Sequence, residues 1–217
     1  MDKIAAINTI DAIFAQYNAA GAHLHTQAVG KVYELYCLGR VVERLVDIGC
    51  QIQLPGSGLV GFKASPGPIN TSYPSIDVST PSGLPLKLWT DIEFQTLSAC
   101  QGHTTDRSER YELDIVLVPA DVTGLPRVDE IVLGIECKAH QNVSKGVVKQ
   151  LLGVRREMSL LSGPVESWLS EICMSTPVRR VSADPPSELW LFHTHPDIRL
   201  YADGPEYFGI ETIQDAP

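Results

Sequence analysis

The chain has 217 residues, 44% apolar and 20% charged, with a formal net charge of −9 at pH 7. That length can bury one sizeable core, and with no run of about 18 apolar residues no membrane span is expected. The acidic balance excludes nucleic-acid binding through bulk positive charge, leaving only a local basic stripe for such contacts.

Cys37, Cys50, Cys100, Cys137 and Cys173 are scattered and form no C-x-x-C pair. They read as reduced, mostly buried thiols, which fits a cytoplasmic protein. Asp2 and Asp11 stand where a basic start would be needed, so no signal peptide is expected. Ile4, Ile7, Phe14 and Tyr17 give a helical face over residues 2–19, with Asp2 as cap and Gly21 as stop. Residues 1–26 are thus expected to form a helical extension to a domain over 27–217. A second helix is predicted over 27–48, with Val32, Leu35, Tyr36, Gly39, Val42 and Val46 as its stripe and Gly49 as its C-terminal cap. Glu34 lies beside that stripe.

Residues 51–86 are rich in Gly, Pro and Ser and predict short strands near 59–64 and 75–79. Further strands are predicted at 86–97, 111–118 and 130–139, with a polar, mobile loop over 98–110. A helix over 144–161 would turn Val147, Leu151, Val154 and Met158 inward. A short helix over 164–173 and strands at 188–193 and 207–213 complete the chain.

Two of these strands carry acids. Residues alternate between faces along a strand. Val132, Gly134, Glu136 and Lys138 are therefore predicted on one face, and Ile131, Leu133, Ile135 and Cys137 on the other. Leu113, Ile115 and Leu117 would likewise oppose Glu112 and Asp114. Burying Asp114 and Glu136 is costly unless they pair or bind metal, and two converging carboxylates suit Mg2+ or Mn2+. The plainer reading of Glu136 and Lys138 is an ordinary i, i+2 pair on an exposed strand face. Lys145, Lys149, Arg155 and Arg156 on the following helix are candidates for contacts to a nucleic-acid backbone, or a solvated face.

An acid on one strand followed by acid-x-Lys on the next, here Asp114 and Glu136-Cys137-Lys138, resembles the restriction-endonuclease-like superfamily of PD-(D/E)xK nucleases. The resemblance spans roughly residues 27–193. The proline of the family signature is absent, since Leu113 precedes Asp114. The resemblance implies an α/β fold with an α-βββ-αβ core, a central mixed sheet flanked by helices. It implies a DNA endonuclease of restriction, phage defence or repair, dependent on Mg2+ with Mn2+ as substitute. Asp114 and Glu136 would be metal ligands, joined by the Cys137 carbonyl and by Glu34. Lys138 would orient water or stabilise charge on phosphate, and Gln150 would bond a water or phosphate. Glu43 competes with Glu34 as the helix acid, and Glu93 and Glu112 are further acids near the site. Double-stranded DNA is the expected partner, with a homodimer or partner protein completing target choice. A non-catalytic nucleic-acid-binding or assembly protein on the same fold is the alternative.

A second motif lies in Trp190-Leu-Phe-His-Thr-His-Pro196. It resembles the JAMM-type zinc isopeptidases, in which two His and a later Asp bind zinc. Here His193 and His195 would be the pair, but Asp203 and Glu206 stand where that family has Ser and Asp.

Overall fold

The computed structural model describes residues 3–15, 29–55, 65–103, 106–139, 145–163, 167–173, 181 and 183–217. The expected strand at 59–64 and the expected helix-stop Gly21 lie outside them. Helices α1 (Lys3–Ala15) and α2 (Val29–Asp47) come first. Strands β1 (Gln51–Gln53), β2 (Ile76–Ser79) and β3 (Pro85–Gln95), a short helix α3 (Leu97–Cys100), β4 (Arg110–Pro119) and β5 (Leu133–Lys138) follow. Then come α4 (Lys145–Met158), a small pair β6 (Leu160–Leu161) and β7 (Ala183–Asp184) with α5 (Trp168–Cys173) between them, β8 (Glu188–His193), α6 (Asp203–Tyr207) and β9 (Ile210–Gln214). The sheet is mixed and seven-stranded, in the order β1-β2-β3-β4-β5-β8-β9. Its first five strands pair antiparallel, whereas β8 lies parallel to both β5 and β9. The parallel step from β5 to β8 requires a long crossover, and α4 and α5 occur within it. Among the described residues no helix is long and apolar enough to cross a membrane.

Helices cover both sheet faces, giving three layers and two cores. On one face Val32, Leu35, Tyr36 and Leu38 of α2 pack on Leu88, Ile115, Ile135 and Phe192, with Leu169 and Cys173 of α5. On the other, Leu151 and Met158 of α4 pack on Phe94, Val116, Leu189 and Ile210. Cys37, Cys50, Cys137 and Cys173 are buried free thiols, as expected, and Cys100 is half-buried.

Several helix faces differ from expectation. In α1 Ile4 is 72% exposed, whereas Ile10 and Ile13 are buried. Ile10 joins the α2-side core, so α1 is packed into the domain. Gly39 permits that approach, since a Cβ there would lie 3.0 Å from Ile13 Cδ1. The α2 stripe holds as expected except at Val46, which is exposed. In α4 the buried row is Val148, Leu151, Arg155 and Met158, one position on from the predicted Val147 and Val154. Near the chain end, Tyr207 closes α6 and the strand begins only at Ile210.

The strand faces also depart from simple alternation. Ile115 and Leu117 face α2, but Leu113 lies in the α4-side core with Val116 and Val118. On β3, Leu86 and Leu88 face α2 while Trp89, Ile92 and Phe94 face α4. Both strands therefore change phase at the same level. The ladder pairs Thr90 with Ile115 and Ile92 with Leu113, and skips the Asp91–Asp114 step between them. Asp91 has φ of 53°, the one non-glycine with positive φ among the described residues. Such a conformation costs about 1–3 kcal/mol and persists only where surrounding structure enforces it. On β5, Leu133, Ile135 and Cys137 share the α2 side as expected. Gly134 faces the other way, where its Cβ would meet Leu113 and Met158 at 3.0–3.1 Å. Ile131 and Val132, which precede the strand, are reversed relative to the prediction.

Candidate functional site

The β4–β5 ladder joins Leu117 to Leu133, Val116 to Gly134 and Ile115 to Ile135, and then stops. Beyond it the strands fork. Asp114 sits in the fork, and its Oδ2 accepts the Cys137 N–H at 2.6 Å, where a backbone carbonyl would otherwise serve. Lys138 Nζ donates to Glu136 Oε2 at 2.6 Å and lies 3.6 Å from Asp114 Oδ2. The sequence thus places Asp114, Glu136 and Lys138 together, as its alternation pattern predicts for Glu136 and Lys138.

A second ion-paired group enters from α2. Lys31 Nζ donates to Glu34 Oε2 at 2.6 Å and also to Asp91 Oδ1. Asp91 is fully buried. Glu34 is close enough to Asp114 and Asp91 to be repelled by both. Tyr33 and Arg40 hold α2 against the chain end, bonding the Asp215 carbonyl at 2.8 Å and its carboxylate at 2.7 Å. Glu43 is bonded by Arg40, so Glu34 is the α2 acid that reaches the cluster. Glu112 stands exposed at the cluster's edge, within electrostatic reach of Asp114 and Asp91. Glu93 instead meets Arg110 at 3.7 Å.

Burial, then repulsion from Asp114, pushes the Glu136 carboxyl up to about 7. Burial also pushes Glu34 up to about 7, against the pull of its bond from Lys31. Burial and nearby acids raise Glu112 as well. Burial alone would lower Lys31 and Lys138, but their carboxylate partners raise both above the usual lysine value. Five carboxylates, Glu34, Asp91, Glu112, Asp114 and Glu136, thus crowd around the Lys31 and Lys138 ammonium groups.

This crowding has a measurable consequence. A carboxyl raised in the folded state keeps protons that the unfolded chain releases between about pH 4.5 and 7. Folding stability in EDTA is therefore expected to fall as pH rises through 7. Burial lowers His193, which opposes the trend at more acid pH, so the clean window is pH 8 to 6.5. Thermal melts in that window should show Tm rising on acidification and a flatter profile in Glu136→Gln. A Tm that is constant or falls on acidification would refute this account of the two carboxyls.

The remaining predicted site residues divide between surface and core. Cys137 offers its N–H to Asp114, while its thiol is buried in the α2-side core. Gln150 lies exposed on α4, and no hydrogen bond joins it to the carboxylates among the described residues. Lys145, Lys149 and Arg156 are exposed. Arg155 is not available to a phosphate. It is 2% exposed and donates to the Phe208 carbonyl at 3.1 Å and to Ser187 Oγ and carbonyl at 3.2 and 3.0 Å. Its position in the buried row of α4 is the reason. The expected loop over 98–110 holds α3 and a 3-10 turn over Arg107–Glu109.

His193 ends β8 and is buried, with Nδ1 lacking a hydrogen-bond partner among the described residues. His195 Nδ1 accepts the Asp197 N–H at 3.1 Å and so caps the following 3-10 turn. Asp203 and Glu206 are exposed on α6.

Lys31 and Asp91 are the members that the sequence reading passed over. The signal was present: Asp91 interrupts an apolar strand as Asp114 does, and Lys31 precedes Glu34 by one helical turn. Among the described residues no three His, Cys, Asp or Glu side chains gather so as to enclose a metal ion as they stand. At the fork the lysines lie between the acids. The donor chemistry nevertheless fits a hard cation: the groups are carboxylate oxygens, raised first by burial and then by one another. No protein-family model, curated protein or solved structure matches the chain.

Proposed function

We propose that the chain is a divalent-metal-dependent nuclease that hydrolyses phosphodiester bonds, a DNA endonuclease of the PD-(D/E)xK type. The observation that carries this reading is the fork at which Asp114 meets Glu136 and Lys138 while Glu34 arrives from the helix before the sheet. The run α2, β3–β4–β5, α4, β8 also follows the order of that superfamily's α-βββ-αβ core.

Asp114, Glu136, Glu34 and the Cys137 carbonyl would hold Mg2+, with Mn2+ as substitute. Bound there, the ion supplies Lewis acidity toward a phosphoryl oxygen and toward water. Lys138, whose ammonium is already held by Glu136, donates to the charge that builds on phosphate or to the attacking water. Glu136 and Asp114 keep that ammonium aimed into the fork. The exposed Lys145, Lys149 and Arg156 offer contacts to a duplex backbone, which position without reading sequence. Restriction, phage defence or repair in the cytoplasm is the setting this chemistry suits.

The test is incubation of the pure protein with supercoiled plasmid, linear duplex, single-stranded DNA and RNA. Each is run with EDTA, Mg2+ or Mn2+, beside Glu136→Ala. Metal-dependent cutting of duplex DNA, lost in the variant, is the expected result. Cutting of RNA alone would redirect the substrate. Binding of duplex without cutting under any condition would favour a non-catalytic binding protein.

A further inference from the structure

Two thiols lie together away from the acidic site. Cys50, in the link between α2 and β1, and Cys173, the last residue of α5, have their Sγ atoms 3.5 Å apart. Both are free and only 5% and 4% exposed. Both stand at the ends of elements, where three chain segments meet. The Cys50 N–H donates to the Leu45 carbonyl at 2.9 Å and so closes α2. The neighbours of the pair, Gly49 and Ile172, rest on the turn between β2 and β3. A Cβ on Gly49 would lie 3.2 Å from Pro81 Cγ, and Ser82 Oγ donates to the Ile172 carbonyl at 3.4 Å. Pro81 and Ser82 are exposed, so the thiols lie just beneath the surface. A disulfide has an S–S bond of about 2.05 Å, so the sulfurs must close by roughly 1.5 Å. Backbone at element ends can give by that amount more readily than backbone inside a helix or a strand ladder. The second thiol contact, between Cys37 inside α2 and Cys137 inside β5, lacks that freedom.

We propose that Cys50 and Cys173 form a peroxide-reactive dithiol, in which Cys50 is the attacking sulfur and Cys173 closes the disulfide. The thiolate is the reactive form of cysteine. The hydrogen bond from Cys173 holds the Cys50 thiol below the usual cysteine value, and the same bond, followed by burial, pushes Cys173 up. Burial pushes Cys137 up, which keeps that thiol protonated. The Cys50 thiolate attacks one oxygen of hydrogen peroxide, the O–O bond breaks, and hydroxide leaves and is protonated to water. Cys50 is then a sulfenic acid. The Cys173 sulfur attacks the Cys50 sulfur, its proton goes to the departing hydroxide, and a second water leaves. Two thiols have lost two electrons, and peroxide has been reduced to two waters. The new bond ties the end of α5 to the end of α2. Nothing in this chemistry depends on the nuclease reading.

The test is graded hydrogen peroxide on the whole protein in EDTA, with alkylation of remaining thiols and mass mapping of unreduced peptides. The half-buried Cys100 marks the dose, since its thiol is the more accessible. The expected product is a peptide pair joined through Cys50 and Cys173 and released by dithiothreitol. Because the bond closes a long loop of chain, Tm should rise by about 5–15 °C on oxidation and fall back on reduction. With dimedone present, Cys173→Ser should be trapped as a sulfenic acid at Cys50, whereas Cys50→Ser should give no adduct at Cys173. Oxidation of Cys100 with no Cys50–Cys173 link would overturn the proposal. So would a link through Cys37 and Cys137 in its place, a joined protein with lowered Tm, or an adduct at Cys173 in Cys50→Ser. If either serine variant does not fold, the wild-type map and melts decide alone.

Discussion

Replacing Lys138 with alanine is expected to lower metal-dependent cleavage by about 10²–10³-fold, as loss of one transition-state donor typically does. The reason lies in where its ammonium is held. Nζ lies 2.6 Å from Glu136 and 3.6 Å from Asp114, the two acids that would also hold the ion. A donor fixed there meets charge that develops on phosphate, and it contributes little to binding the substrate in its ground state. The loss should therefore fall on kcat more than on KM. Mn2+ affinity should stay the same or rise, because a positive charge has left two carboxylates. This sign separates a catalytic lysine from a structural one. If Lys138 only held the fork together, its removal would weaken Mn2+ binding and lower Tm along with activity. Full cleavage by the variant would refute the assigned role. Single-turnover kinetics with Mn2+ calorimetry on the same preparation decide between these outcomes.

What the sequence made legible follows from where its regularities are strong. The β8 run Glu188–His193 and the β4 and β5 runs stand out because apolar residues fill strands buried on both faces. Glu136 and Lys138 are two apart on one such strand, so their shared face follows from the period of the pleat. The phase change at Asp91 and Asp114 could not be read this way. It is a cooperative feature of two strands, and in each strand alone the acid reads as one polar position in a regular alternation. That break decides that Leu113 leaves the Ile115 face and that Asp91 joins the site. A left-handed backbone at a residue other than glycine carries no mark in a single sequence, beyond the tolerance of Asp for that region. Charge misled in a second way. Lysine and arginine on an amphipathic helix are assigned to solvent by default, and this is what turned the predicted inner face of α4 by one position.

Arg155 is the residue in question, and its removal should cost more stability than any other single change considered. Its guanidinium bonds the Phe208 carbonyl just before β9 and the Ser187 hydroxyl and carbonyl just before β8. One side chain from α4 thereby satisfies backbone groups at the starts of two parallel strands. The planar fork of donors suits that task, whereas an ammonium on a lysine stem does not. Arg155→Met keeps much of the apolar stem but leaves two buried carbonyls without this donor. Hydrogen bonds from a charged group contribute about 1.5–3 kcal/mol each, and unsatisfied buried acceptors add to the cost. Since such losses are not additive, the expected destabilisation is about 3–5 kcal/mol, the range of a broken buried polar network. Arg155→Lys should recover only a small part of it. Urea denaturation should show a lower midpoint with an unchanged slope, since the surface exposed on unfolding is the same. A shift below about 0.5 kcal/mol, the size usual for a surface substitution, would place Arg155 in solvent and restore it as a nucleic-acid contact. Duplex-binding measurements supply the converse test. Well below its melting temperature, Arg155→Met should bind DNA with the same salt dependence as wild type, because a buried guanidinium displaces no counter-ions from phosphate.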